Sequence, residues 1–351
     1  MLDLSGIMRS INIRLYRSLH HAALIIFAVV LASCGGRTPG REVVIYTSVD
    51  QVVAEPILHE YEQRAGVRVR AVYDIEAAKT TGLVTRLEAE KARPQADVFW
   101  NGEFAQTLAL QQKGILAPYH SPAAVDIPAV FKDRDGYWTG VGGRARVFIV
   151  NTNLLAPTDY PSSLADMLSS RWPADKIGMA QPLFGTTATH AAALYATLGP
   201  ERAREFFQAV RDRGVRVVDG NSVVRDMVAS GQLVFGITDT DDAAGAIERG
   251  APVRVVAPDT DTSGTLVIPG TVAMVAGAPH AAEARALVDF LVSAEAENAL
   301  VKAGFCQFPV RPDASVADPA FAKIKPMAVS LQDICDQMPR AASELREIFV
   351  R

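Results

Sequence analysis

Short β-branched runs alternate along this chain with stretches whose apolar residues recur at helical spacing. Residues 43–46, 67–73 and 96–100 read as strands. Between the first two, Val53, Ile57, Leu58 and Tyr61 share one helical face, with Ser48 or Asp50 as the cap and Gly66 at the end. A second series has strands at 146–150, 176–180, 215–218, 233–237, 253–256 and 271–275. Helices are expected at 281–292 and 294–303, with a helical tail near 341–350. Strands alternating with helices predict an α/β fold whose parallel sheet is covered on both faces. At 351 residues the chain is long for one core, so two lobes are expected. No low-complexity linker separates the two series. The lobes should therefore share crossover strands, near 143–150 and 266–275, and leave a cleft between them.

The N-terminus follows a different pattern. Arg9, Arg14 and Arg17 precede an apolar run from Ala22 to Ala32, and the order Leu31, Ala32, Ser33, Cys34 closes it. A basic segment, a short apolar core and small residues before a cysteine describe a secretory signal peptide, and the motif resembles the bacterial lipobox. Residues 1–33 are thus expected to be a leader, with Met8 as an alternative start, and Cys34 the acylated first residue. The glycine-rich stretch 34–40 reads as a tether. That leaves Cys306 and Cys335, which in an oxidising compartment are expected to form a disulfide.

Composition narrows the function. Hydrophobic residues make up 49% of the chain and charged residues 21%, which excludes a disordered protein. The formal charge is −4 and no long basic run occurs, so nucleic acid is not an expected partner.

Polar residues gather just past the strand ends, where ligands bind open α/β sheets. The candidates are Thr47, Ser48 and Asp50; Asn101 and Glu103; Gly185, Thr186, Thr187 and Thr189; Asn221 and Ser222; and Asp239, Asp241 and Asp242. For Ser48, Asp50, Asn221 and Ser222 the alternative reading is an ordinary helix cap. A glycine with three threonines at a helix start suits an oxyanion. Three crowded aspartates repel one another unless a cation or amine compensates them. Arg144 and Arg146 flank the expected crossover; Arg144 is a ligand candidate, and at least one of the two should be an internal ion-pair partner. His190 is either a contact residue or a core histidine. No G-x-S-x-G, P-loop, G-x-G-x-x-G or H-E-x-x-H occurs. The run from Asp259 to Gly264 starts like a calcium loop, but the twelfth position is Gly270, so it reads as a turn. Trp100 and Trp138 are expected in the core or cleft wall.

Several stretches carry a family resemblance: VIYTSVD (from Val44), YEQRAGVRVRAVYD, ADVFWNGEFAQTLALQQKGILAPY, GVGGRARVFIVNTNLL, NSVVRDMVASGQLVFGITDTDDA and ARALVDFLVSAEAENALVKAGFCQFPVRPD. With them the chain resembles the solute-binding proteins of ABC importers, in the group that includes ferric-ion, sugar-phosphate and aminophosphonate binders. The resemblance implies a type II periplasmic-binding-protein clamshell: lobe 1 from 41–142 and 276–318, lobe 2 from 143–275, and a C-terminal helical tail over 319–351. It implies a non-catalytic monomer in the periplasm or at the cell surface, anchored through Cys34, that delivers a small solute to an inner-membrane permease. Ferric binders of the group place a histidine after the first strand, an acid after the DVF strand and two tyrosines after the strand near 234–238. Here Asp50 fills the first position and Asn101 to Glu103 the second, while Asp239 to Asp242 replace the tyrosines.

Ferric iron or an iron complex held by Asp50, Glu103, Asp241 and Asp242 is the leading ligand expectation, as cargo and with no cofactor. The second is a small zwitterionic organophosphonate or phosphorylated metabolite, its anion at 185–189 and its amine on the acids. A third class is a secreted α/β hydrolase, which needs Ser48 or Thr187 to meet His190.

Overall fold

Strand β1 (Glu42–Thr47) lies between two parallel neighbours, β2 (Arg68–Tyr73) and β3 (Val98–Asn101). Parallel pairing needs a crossover, and helices α1 (Gln51–Ala65) and α2 (Thr81–Ala89) supply it. In α1 the buried residues are Ala54, Ile57, Leu58 and Tyr61, and Gly66 closes the helix in a left-handed conformation with its N–H on the Glu62 carbonyl. The computed structural model describes residues 41–74, 81–311 and 324–350. The expected leader, the tether and Cys34 lie outside the described residues, as do 312–323 between the expected first lobe and the tail.

Strand β5 (Thr139–Asn151) runs through the middle of the sheet, and all 13 of its residues are buried. Its first half pairs with β10 (Val267–Val275), its second half with β8 (Phe235–Asp239) and β9 (Val253–Val256). Next to β8 come β6 (Ile177–Ala180) and β7 (Arg216–Val218), all three parallel. The order is β2-β1-β3-β10-β5-β8-β6-β7, with β4 (Leu116–Ala117) attached to β10. β5 is therefore the strand that both halves share. β10, assigned by its position in the chain to the expected second lobe, pairs with β3, β4 and the first half of β5.

Helices α3 (Ala105–Gln112), α4 (Gly185–Leu198), α5 (Pro200–Arg213), α6 (Asn221–Ala229), α7 (Thr240–Glu248), α8 (Ala281–Leu291) and α9 (Ala294–Lys302) cover the sheet. One apolar core joins β1 and β3 to α1 and α8 through Ile45, Val98, Ile57 and Leu287. A second, around Ile149, Val224 and Leu233, fills the space under α6 and α7. The largest holds Phe99, Phe104, Phe148, Phe235 and Tyr195, and so draws residues from both sides of β5. Trp100 and Trp138 are buried in these cores, as expected.

The tail is longer than its pattern suggests: helix α10 runs Leu331–Phe349, with Pro339 inside it. Ser330 caps it by accepting from the Asp333 N–H at 3.0 Å. Its buried face of Ile334, Cys335, Ala341, Leu345 and Ile348 belongs to the largest core. No helix among the described residues is long and apolar enough to cross a membrane.

The disulfide expected between Cys306 and Cys335 is not formed; both thiols are free and buried. They sit in different cores: Cys306 accepts from the Gly143 N–H at 3.3 Å, and Cys335 donates to the Ala105 carbonyl at 3.6 Å. Burial pushes both thiols up to about 12. Pairing cysteines by count fails here because the chain buries each one as a small hydrophobe.

Candidate functional site

Because β1, β2 and β3 are parallel, and β6, β7 and β8 likewise, each group sends its carboxyl ends to one edge. Ser48 and Asp50 follow β1, Gly102 and Glu103 follow β3, and Gln181, Phe184, Gly185, Thr186 and Thr187 follow β6. Asp219, Gly220, Asn221 and Ser222 follow β7, while Asp241 and Asp242 follow β8. With Arg144, Arg225, Ala180 and Asp239 they line one cleft of about 660 Å³, a volume that includes the open solvent at its mouth.

Three expected ligand residues stand behind the lining. Thr47 accepts from the Val49 N–H at 3.1 Å. Asn101 accepts from the Ser48 hydroxyl at 2.6 Å and donates to Glu103 at 3.0 Å. Thr189 is fully buried and donates to Glu103 at 3.0 Å. Glu103 itself is 1% exposed and also accepts the N–H groups of Ala105 (2.6 Å) and Gln106 (3.0 Å) at the start of α3. Burial outweighs these donors and raises its pKa. With four donors on its carboxylate, Glu103 acts as a helix cap and a bridge from α3 to α4 (Thr189), with little left for a metal ion.

The aspartate run is compensated from within. Arg146 pairs with Asp239 at 2.7 Å, Arg144 with Asp241 at 2.9 Å, and Arg225 with Asp242 at 3.1 Å. Burial opposes ionisation of Asp239, but Arg146 and Arg144 prevail and its pKa falls. At Asp241 the balance reverses: burial, Asp239 and Asp50 outweigh Arg144, and the pKa rises. One oxygen of Asp241, Oδ1, is buried without a hydrogen-bond partner. Arg144 also donates to the Gly102 carbonyl at 2.8 Å and lies over the Phe305 ring at 4.8 Å. It thereby ties the strand end after β3 to the one after β8.

The threonine hydroxyls are also committed. Thr186 donates to Asp239 at 2.6 Å and Thr187 to Asn221 at 3.2 Å. What α4 offers the cleft is therefore its first-turn N–H groups, which have no partner inside a helix. α6 opens at Asn221 on the same cleft and α7 at Thr240, just after Asp239. The positive ends of three helix dipoles thus gather at one place. His190, one turn into α4, is buried beside Arg146 and is not part of the lining. Neither Ser48 nor Thr187 is hydrogen-bonded to it: Ser48 bonds Asn101 and the Gly102 N–H, and Thr187 bonds Asn221 and Arg146. The contact a hydrolase requires is not assembled.

Five side chains of the lining were not among the expected residues: Ala180, Gln181, Phe184, Asp219 and Arg225. Asp219 carried a signal, since it directly follows a predicted strand. Arg225 had a weaker one, lying four residues beyond the candidate Asn221 and so on the same helical face.

A model of the family described as bacterial extracellular solute-binding protein matches residues 93–336. A probable ABC transporter periplasmic-binding protein of Sinorhizobium fredii is 29% identical over 263 residues, covering 72% of this chain and 71% of its own. Iron uptake protein A1 of a Synechocystis species is 24% identical over 321 residues, covering 85% and 86%. Among solved structures, a periplasmic binding protein of Actinobacillus pleuropneumoniae with exogenous fructose-6-phosphate bound superposes with a TM-score of 0.78 at 25% identity. That match covers 89% of this chain and 99% of the other.

Proposed function

The chain belongs to the bacterial extracellular solute-binding proteins, and from that premise we propose that it captures a small phosphorylated or phosphonate solute for an ABC importer. The observation that carries this reading is the convergence of three helix N-termini on a cleft where Asp239, Asp241 and Asp242 are already matched by arginines. An oxyanion at the starts of α4 and α6 receives N–H donors, and Asp241 Oδ1 accepts from an amine or hydroxyl elsewhere on the same ligand. Ligand contacts to Ser48 and Asp50 on one side and to 185–187 and 221–222 on the other favour the closed clamshell, and release opens it. The fructose-6-phosphate complex of the structural relative supports this ligand class. The periplasmic transport relative supports the importer role. The two lobes divide at β5, and Cys34 anchors the mature protein through lipid, on the strength of the Leu-Ala-Ser-Cys motif.

A second reading keeps ferric iron as the cargo. Oxygens of Asp239, Asp241 and Asp242 lie within 4.8 Å of one another, a hard donor set, and one relative is named an iron uptake protein. Iron binding there would displace Arg144 and Arg225 from their partners. The two readings diverge in Asp242→Asn, which frees Arg225. Thermal-shift and calorimetric titrations with fructose 6-phosphate, 2-aminoethylphosphonate and ferric citrate, with citrate as the control, test them. The anion reading expects phosphate or phosphonate binding that is retained or tightened in the variant. Ferric binding in the wild type that disappears in Asp242→Asn, with no response to either phosphorus compound, replaces it with the iron reading.

A further inference from the structure

Arg146 does not line the cleft, yet it holds the cleft's anion-facing wall together. It stands directly opposite Asp239 on the antiparallel pair β5–β8, and the two are 0% and 2% exposed. Beyond that ion pair, Nη1 donates to Thr186 Oγ1 at 3.3 Å and to Asn221 Oδ1 at 3.1 Å, and Nη2 donates to Thr187 Oγ1 at 3.3 Å. Thr186 and Thr187 lie in the first turn of α4, Asn221 begins α6, and Asp239 precedes α7. Asp239 closes the set by accepting from Thr186 at 2.6 Å and from Asn221 Nδ2 at 3.1 Å. One guanidinium therefore fixes the first turns of two helices and the residue leading into a third.

Stability alone does not call for this arrangement. A buried ion pair is often matched or exceeded in stability by apolar residues of similar volume. What the network fixes is the direction of the first turns of α4 and α6, whose N–H groups have no partner inside a helix, and an anion in the cleft is what would benefit. We infer that Arg146 is a positioning residue for anion capture: through Thr186, Thr187 and Asn221 it aims the first-turn N–H groups of α4 and α6 at one oxyanion. This rests on the anion reading of the cleft. Lysine keeps the charge but not the planar fork, so it cannot hold three partners in fixed directions.

The test compares wild type, Arg146→Lys and the paired replacement Arg146→Met with Asp239→Leu, which leaves no uncompensated buried charge. Fructose 6-phosphate is the probe, with affinity by calorimetry and folding by melting temperature and near-UV dichroism. Arg146→Lys is expected to weaken binding by tenfold or more, and the paired replacement to abolish it while remaining folded. Combining Arg146→Lys with Thr187→Val should cost clearly less than the product of the two separate losses, because both break one network; a purely structural role predicts that the losses multiply. If the wild type binds and either folded variant keeps its affinity within threefold, or the losses multiply, the positioning role is refuted and the anion reading survives. If the wild type binds neither fructose 6-phosphate nor 2-aminoethylphosphonate, the anion reading falls and takes this inference with it.

Discussion

Acidification should weaken this protein through His190, and the size of the effect follows from where that residue sits. His190 is 5% exposed in α4. Burial and the nearby Arg146 both disfavour its cationic form, Asp239 only partly offsets them, and its pKa is lowered to about 3. In the unfolded chain the same imidazole titrates at about 6.5. As pH falls below 6.5 the unfolded state takes up a proton that the folded state refuses, so stability drops until the folded histidine titrates near 3. Linkage over that interval gives a loss of about 2 kcal/mol between pH 7 and pH 5, on the scale of about 1.4 kcal/mol per pH unit. Other groups titrate over the same range, so the informative quantity is a difference. His190→Gln removes this term and leaves the rest. Urea unfolding of both proteins at pH 7 and pH 5 should show the variant gaining about 2 kcal/mol relative to wild type on acidification. A stability difference that stays constant between the two pH values would refute the placement of a neutral histidine beside Arg146.

Three further outcomes follow from local geometry and from the lipobox. A methyl group on Gly264, whose φ is +87°, would lie 2.6 Å from the Pro326 carbonyl oxygen, so Gly264→Ala should cost about 2 kcal/mol or more, read by urea midpoint; an unchanged midpoint contradicts the close approach of the two segments. Cys306 and Cys335 should be inert to a thiol reagent in the folded protein and both react after unfolding, with identical electrophoretic mobility with and without reductant; one disulfide per chain contradicts the separate-core placement. Globomycin should leave the precursor unprocessed and Cys34→Ser should abolish palmitate incorporation, whereas normal maturation in both cases excludes the lipid anchor.

Much of the fold was legible because burial in parallel strands leaves continuous β-branched runs, and because those strands end in polar clusters. The shared strand β5 could be read from the missing linker, although the sequence pattern marked only 146–150 of its 13 residues as strand. The site was legible as a location and less so as chemistry. Asp239, Asp241 and Asp242 form a run in the sequence, but the arginine compensating Asp241 lies 97 residues away on β5, a relation set by strand pairing. Glu103 sits at a strand end like a ligand residue, yet the start of α3 and Thr189 claim its oxygens. The three threonines after Gly185 looked like ligand hydroxyls; their protons go to Asp239, Asn221 and Glu103. The early start of α10 was hidden by Pro339, a residue that argues against a helix locally and is tolerated where tertiary packing of Ile334 and Leu345 prevails. In each case short-range pattern was overridden by partners distant in sequence.

The most direct test of the account is calorimetric titration of the delipidated wild-type protein with fructose 6-phosphate and 2-aminoethylphosphonate, accompanied by small-angle scattering. Saturable binding of at least one of them is expected, one molecule per chain, with a fall in the radius of gyration as the clamshell closes. Heat evolved only with ferric citrate, or no heat and no change in scattering with any of the three, would contradict it.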